Sequence, residues 1–412
     1  MISAQNHRPL LSGNKWFLYL WIMLVAAACS PKLQPVQAPV KPTEPVAKAP
    51  EPSSVKTDPK VATIALLLPF ELDYLKKGYS VNALKQANIA IDYYQGFKMG
   101  LDSLTAKGYN YRLLVYDTHD LPAQSHSLAY NPDIRASDLI VGPVFPEGIK
   151  AFTSVLTSGR KPILSPLAAS APSTFKNQNL VTAIPPLEYH AWGAAEYVVK
   201  GIKAKKVFVL KSGYSVDNDY SKPFIKGIDS LGKKQVKLTQ LTVSRGNLNT
   251  IIPQLSLTDQ NVFVVPSTNQ AFLSVTLHTL DSLSKKYPIT VFGHPSWADL
   301  SFLRTELLQN INTHITSSDH IDYKAEQTLA FTRNYRKTFK ADASEYSIKG
   351  FDEAMYFGNL LGKDNDGLKD LGKNEFTGIH NSFRFIKKPG LGWINTHVNV
   401  FKYANFALKQ VK

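Results

Sequence analysis

The sequence predicts an α/β protein of two doubly wound lobes, and three observations carry that prediction. First, Val61 to Phe70 (VATIALLLPF) is an apolar run of strand length with no polar residue from Ile64 to Leu68, closed by Pro69. Continuous hydrophobicity over so few residues marks a strand covered on both faces, as at the centre of a parallel sheet. Second, a helical stripe follows (Ile89, Tyr93, Phe97, Leu101, Leu104) and then a second strand, Tyr111 to Tyr116, ending at Asp117. This is a βαβ unit. Gly96 and Gly100 lie on or beside the stripe, where a missing side chain lets the helix approach a sheet closely. Third, beyond Pro185-Pro186 the same alternation restarts.

A chain of 412 residues exceeds the usual single domain, and 44% apolar with 11% aromatic residues suffices for two cores. The formal charge of +15 is spread over pairs such as Lys205/Lys206, Lys233/Lys234, Lys285/Lys286 and Lys387/Lys388. No nucleic-acid motif accompanies them, so no nucleic-acid partner is expected. They read as solvated faces, with weak attraction to acidic envelope surfaces as the second reading.

The lone cysteine, Cys29, follows a basic segment (Arg8, Lys15) and 13 uncharged residues, Trp16 to Ala28, that end in three alanines. That stretch falls short of the roughly 20 residues a spanning helix needs, which favours a signal peptide over residues 1–28. Small residues before a single cysteine resemble a bacterial lipobox, with Ala26 where leucine is usual. Cys29 is therefore read as lipidated. Plain secretion with a stray thiol and an uncleaved anchor are the other readings. Residues 29–60 hold eight prolines and almost no large apolar side chain, a composition suited to an extended tether. Ser30 after the cysteine favours the outer membrane where sorting reads that position.

Further strands are expected at Asp138 to Val141, Pro162 to Leu164 and Leu180 to Ile184, each closed by a Gly/Pro/Ser corner. In the second lobe strands are expected at Lys206 to Leu210, Val236 to Val243, Asn261 to Val265 and Ile289 to Phe292, with helices at Tyr189 to Val199, Tyr220 to Leu231 and Ala271 to Leu283. Two late helices, Ala325 to Phe339 and Ile348 to Leu361, precede a β tail with alternating segments at Gly378 to Phe385 and His397 to Tyr403.

The order of these pieces resembles the type I periplasmic ligand-binding proteins, in the branch of the leucine/isoleucine/valine receptors. The resemblance spans Val61 to Lys412 and rests on IALLLPF, YYQGFKMGLDSL, LIVGPVFP, KPILSPLA, FTRNYRKTF with GFDEAMYFGNLL, and FTGIHNSFRF. It implies two lobes joined by a hinge with three crossings, near Pro185/Pro186, Ser318 to Tyr323 and Asp364 to Gly372. Lobe 1 would then comprise 61–186 plus 323–368, and lobe 2 would comprise 187–322 plus 369–412. A solute would be held between the lobes and favour their closure.

Relatives of this kind hold a ligand carboxylate with a hydroxyl and backbone N–H groups at helix starts, since such donors suit an anion. The matching corners are Gly142 to Pro146, with Val144 and Phe145, and Ser165 to Ala169, with Ser165 and Ala168; Phe70 closes the first strand beside them. Val144 and Phe145 stand where a hydroxyl is wanted, and Pro146 has no N–H to give. Ser165 and Ser170 are open to ligand binding or helix capping. From lobe 2 the candidates are Tyr214, Ser267, His294 and Trp297, the aromatics reading equally as ligand stacking or core packing. Asp299 is the candidate for an ammonium partner. Asp117 and His119 read chiefly as a self-bonded loop, and Asp352 chiefly as an exposed helix carboxylate.

No HExxH, HxH, GxSxG, P-loop or GxGxxG occurs in a supporting context, so neither a metal, a cofactor nor an enzyme is expected. Two functions follow from the resemblance. One is an envelope lipoprotein capturing an amino acid or short peptide-like solute for ABC-type uptake, with an ABC permease as partner. The other is a scaffold on the same fold contacting a cell-wall synthase or peptidoglycan.

Overall fold

The computed structural model describes residues 61–72, 80–157, 161–363 and 367–412. The expected signal peptide, the expected lipidation at Cys29 and the proline-rich segment that follows lie outside the described residues.

The first lobe begins with β1 (Val61–Leu68), buried along most of its length. Helix α1 (Val81–Thr105) is started by the Ser80 hydroxyl, which accepts the Ala83 N–H at 3.1 Å. The strands β2 (Asn110–Asp117), β3 (Leu139–Val141), β4 (Ile163–Ser165) and β5 (Leu180–Thr182) follow, with α2 (Pro122–Leu128), α3 (Pro132–Ala136) and α4 (Pro146–Val155) between them. The second lobe repeats the plan. Its strands are β6 (Lys206–Lys211), β7 (Lys237–Thr242), β8 (Asn261–Val265), β9 (Ile289–Gly293) and β10 (Thr313–Ser317). Its helices are α5 (Leu187–Glu196), α6 (Asp217–Gly232), α7 (Gln270–Ser284) and α8 (Thr305–Asn310). Helices α9 (Glu326–Phe339) and α10 (Glu345–Glu353) then return to lobe 1. The tail supplies β11 (Phe376–Thr377) and β12 (Ser382–Phe383), then β13 (Phe385–Lys388), β14 (Gly392–Asn395), β15 (Asn399–Ala404) and β16 (Ala407–Gln410).

Each lobe has a seven-stranded sheet, ordered β13-β14-β5-β4-β3-β1-β2 and β16-β15-β10-β9-β8-β6-β7. The first five strands of each lobe are parallel and share one order, with the chain reversing direction between β1 and β3 and again between β6 and β8. In such sheets the strand ends at the reversal form the natural crevice.

Two expectations are corrected. The tail does not pass whole to lobe 2: β14 pairs with β5 in the first sheet, and only β15 and β16 join β10 in the second. Leu368, Leu371, Phe383 and Phe385 are buried in the lobe 1 core, and removing them to lobe 2 would expose them. The third crossing is therefore residues 396–398, between β14 and β15, rather than Asp364 to Gly372. The second correction concerns Gly96 and Gly100, which meet helix α10 and not a sheet. A Cβ on Gly96 would lie 1.8 Å from the Ser347 carbonyl oxygen, and one on Gly100 would lie 2.6 Å from the Ala354 Cβ.

Candidate functional site

Doubly wound sheets bind at the carboxyl ends of their strands because those ends open into the helix N-termini. In lobe 2 the reversal between β6 and β8 leaves a cavity of about 350 Å³, lined by Tyr214, Ser215 and Val216 on one side and Ser267, Thr268 and Asn269 on the other. The turn after β6 is held by Asp217, whose carboxylate accepts the Ser212 N–H at 2.6 Å and hydroxyl at 2.7 Å. Asn269 caps α7 through the Phe272 N–H at 2.9 Å. The Tyr214 side chain stands free of this scaffold, 62% exposed.

A second cavity, of about 660 Å³, takes its walls from both lobes: Ala169 and Lys349 from lobe 1, His190 and His294 from lobe 2, and Ser317 and Asp319 at the second crossing. Lys349 Nζ lies 3.3 Å from Asp319 Oδ2, an ion pair that ties α10 to the crossing strand. Burial works to raise the Asp319 carboxyl, but the Lys349 ammonium, aided by His380 and Ser317, outweighs it and holds the group below its ordinary value. His190 is buried, with Nδ1 3.2 Å from the Thr316 hydroxyl. His294 Nδ1 accepts the Ser296 N–H at 3.1 Å, which leaves that ring neutral. Burial lowers both imidazoles to about 4. At neutral pH the cavity thus offers uncharged imidazoles and hydroxyls around one ion pair.

These imidazoles set a pH dependence. A histidine at about 4 in the fold and about 6.5 when unfolded leaves the unfolded chain holding more protons between those values. Stability then rises with pH through that window, by about 1.4 kcal/mol per pH unit for each such group. His190→Gln is expected to flatten the stability profile between pH 4 and 6.5 by about one proton, measured by urea unfolding at stepped pH. An unaltered slope would show that His190 is not the neutral, buried group described.

The structure brings some of the predicted residues to the strand ends and draws others into the core. Tyr214 and Ser267 line the smaller cavity and His294 the larger. Phe70 is half-buried, edge-on to Tyr94 at 6.1 Å, and gives its N–H to Asp117 at 3.0 Å. Val144 and Ala168 are buried in the two cores of lobe 1, and Phe145 packs partly against the first of these. Ser165 is buried beneath its corner with no hydrogen-bond partner for its hydroxyl, as is Thr182, which it faces across β4 and β5. Ser170 is half-buried and Asp299 is exposed at the rim of the larger cavity. Trp297 is 1% exposed and donates its indole N–H to the Ser267 carbonyl at 2.9 Å, so it packs inside lobe 2 and does not stack on a ligand. Asp117 accepts N–H groups from Phe70, Leu72 and His119 at 2.9 to 3.0 Å, closing its own loop. Asp352 is a correction. It is buried and accepts the N–H groups of Ile379, His380 and Asn381 at 2.7 to 2.9 Å.

Sequence reading missed His190, Thr316, Asp319 and Lys349. The strand that carries Thr316 and leads to Asp319, β10, reads THITS, too polar to register as a buried strand, yet Thr313 to Thr316 are all buried. Its one available signal was the run of β-branched residues. Among the described residues there is no group of metal-binding side chains, and no helix is long and apolar enough to cross a membrane.

This is the two-lobed α/β fold of the type I periplasmic ligand-binding proteins. It is similar to a putative branched-chain amino acid ABC transporter protein from Rhodospirillum rubrum, with 13% identity over 85% of this chain and 100% of that one and a TM-score of 0.61. A branched-chain amino acid transporter protein from Rhodopseudomonas palustris matches with 16% identity over 85% and 95% of the two chains, TM-score 0.57. An ABC transporter substrate-binding protein from Desulfitobacterium hafniense, solved in complex with Leu, matches with 14% identity over 85% and 100%, TM-score 0.53. No protein-family model matches the chain, and no curated protein does.

Proposed function

We propose that the protein is an envelope-anchored, non-catalytic lipoprotein that captures a small solute, an amino acid or short peptide-like molecule, between its lobes for uptake through an ABC permease. The observation that carries this reading is the pair of polar cavities at the carboxyl ends of the strands, one built at the β6/β8 reversal and one walled by both lobes. A solute seated in the second of these touches both lobes and so stabilises their closed arrangement by its differential affinity for it. The fold of the structural relatives, whose names describe ABC transporter proteins, one of them substrate-binding, supports the same reading. Cys29 would hold the protein to a membrane through its lipid, the outer membrane being the favoured one.

One observation favours the second reading, a scaffold that contacts a cell-wall synthase or peptidoglycan. Val144 and Ala168 are core residues and Pro146 lacks an N–H, which leaves the lobe 1 corners few groups for a carboxylate.

The test is a thermal-shift series with leucine, isoleucine, valine, short peptides, sugars and muropeptides. A ligand that binds only the folded state adds about 2.7 kcal/mol at a hundred times its dissociation constant. A saturable rise with one class, lost in Tyr214→Ala, is the expected result. No shift with any class at millimolar concentration would overturn solute capture and leave the scaffold.

A further inference from the structure

A larger groove, of about 850 Å³, lies away from both strand-end cavities. One wall is the face of β13. Residues i, i+2 and i+4 of a strand share a face, and here Arg384, Ile386 and Lys388 line the groove while Phe385 turns into the lobe 1 core. The opposite wall is lobe 2: Trp192 and Tyr189 on α5, and Lys222 and Lys226 one turn apart on α6. The third crossing, with His397, lines it as well.

Charge is unevenly matched around this space. Glu188 pairs with Lys388 at 3.3 Å, Glu375 with Arg384 at 2.8 Å, and Glu196 is shared between Lys200 and Lys412. The lysines hold Glu196 down to about 2 through hydrogen bonds. Among the described residues no carboxylate lies within 4 Å of Lys222 or Lys226, so these two positive charges face the concave surface without a direct ion-pair partner. Cations gathered on a concave wall, here Lys222, Lys226, Arg384, Lys388 and Lys412 against Glu188 and Glu196, raise the local potential in a way that scattered surface lysines do not. Beside these charges the Trp192 indole and the Tyr189 ring supply flat apolar surface, and Lys388 Nζ already lies 5.1 Å from the centre of the Tyr189 ring.

We infer that this groove is a binding site for a small organic polyanion, its carboxylate or phosphate groups on Lys222, Lys226 and Lys388 and its planar or apolar part against Trp192. An anion there competes with Glu188 for Lys388, an ion pair that joins the tail strand of lobe 1 to the first helix of lobe 2. The site therefore senses the arrangement of the lobes from outside the cleft, and by linkage a ligand in one alters affinity in the other whenever the groove changes shape on closure.

The test is calorimetric titration of the full-length protein at physiological salt with trimesate, a planar tricarboxylate, with pyrophosphate, and with uncharged benzenetrimethanol. Saturable binding of trimesate or pyrophosphate is expected, and which of the two binds tells a carboxylate site from a phosphate site. Lys222→Gln/Lys226→Gln should weaken it about tenfold or more, the loss of two close ion contacts. Lys285→Gln/Lys286→Gln, which removes the same charge elsewhere, should leave it unchanged. All four lysines are exposed, so folding is preserved. Quenching of fluorescence by trimesate should disappear in Trp192→Phe. The inference is overturned if neither anion saturates at millimolar concentration, if benzenetrimethanol binds as well, or if the two double variants lose affinity equally.

Discussion

Gly96→Ala is expected to destabilise the protein by about 3 kcal/mol, the upper part of the range for overpacking a tight site. The added Cβ would sit 1.8 Å from the Ser347 carbonyl oxygen, and the opposing Gly350 would place its own Cβ 2.3 Å from the Tyr93 carbonyl oxygen. On each side the obstacle is helix backbone, which has no rotamer to adopt, so α1 and α10 must separate. Separation loses the packing of Tyr93 and Phe97, both fully buried, and the 2.6 Å hydrogen bond from the Tyr93 hydroxyl to Glu353. It also carries Lys349 away from Asp319, since Lys349 lies on α10 one residue from Gly350. Chemical unfolding of the two proteins measures the loss directly. A midpoint unchanged within error would mean that the helices do not approach as closely as described.

The strands buried on both faces were legible because sheet burial writes itself as continuous hydrophobicity. β1, β8 and β9 are such runs, and Asn261–Val265 coincides with the segment read from sequence. What escaped was polar yet buried. Of the polar residues of β10, His314 is satisfied locally, its Nδ1 approaching the Asn312 carbonyl at 3.0 Å and its ring stacking on Phe292 at 5.1 Å, whereas the Thr316 hydroxyl meets the distant His190 and the Thr313 hydroxyl is buried without a partner. No periodicity distinguishes that strand from a surface loop. The third crossing escaped for a different reason. A short β segment gives no sign of which sheet it will join, and β14 and β15 lie within a few residues of each other in sequence but pair in different lobes. At the site, corners were legible from Gly, Pro and Ser at strand ends, whereas side-chain direction was not. Tyr214 and Trp297 both follow strands of lobe 2, yet one is exposed and the other is buried against Gly293, where a Cβ would lie 2.2 Å from its ring.

Asp352→Ala should have the second large effect, a loss of about 3–5 kcal/mol, because three backbone N–H groups, two of them in buried hydrogen bonds, would be left without an acceptor. The carboxylate of Asp352 gathers the N–H groups of residues 379–381 into a turn, and Gly378 allows the approach, since a Cβ there would lie 2.4 Å from the Asp352 Cγ. Asn381, within that turn, bridges to Asp319 on the second crossing. Asp352 thus links a lobe 1 helix to the hinge. Burial pushes its carboxyl up to about 6, the three N–H donors pulling the other way. With the folded value above the ordinary one of about 3.9, the folded chain holds more protons between pH 4 and 6, and this group's contribution to stability falls as pH rises through that window. The sign is opposite to that of His190, so the two variants can be told apart in one experiment. Asp352→Asn keeps an acceptor oxygen and removes the titration. It should fold with a smaller loss, and between pH 4 and 6 its stability should rise with pH more steeply than that of the unaltered protein, by up to about 1.4 kcal/mol per pH unit. A profile parallel to the unaltered one would assign the anchoring to the hydrogen bonds of a carboxyl that is ionised throughout that window, and would remove Asp352 from the groups that set the pH response.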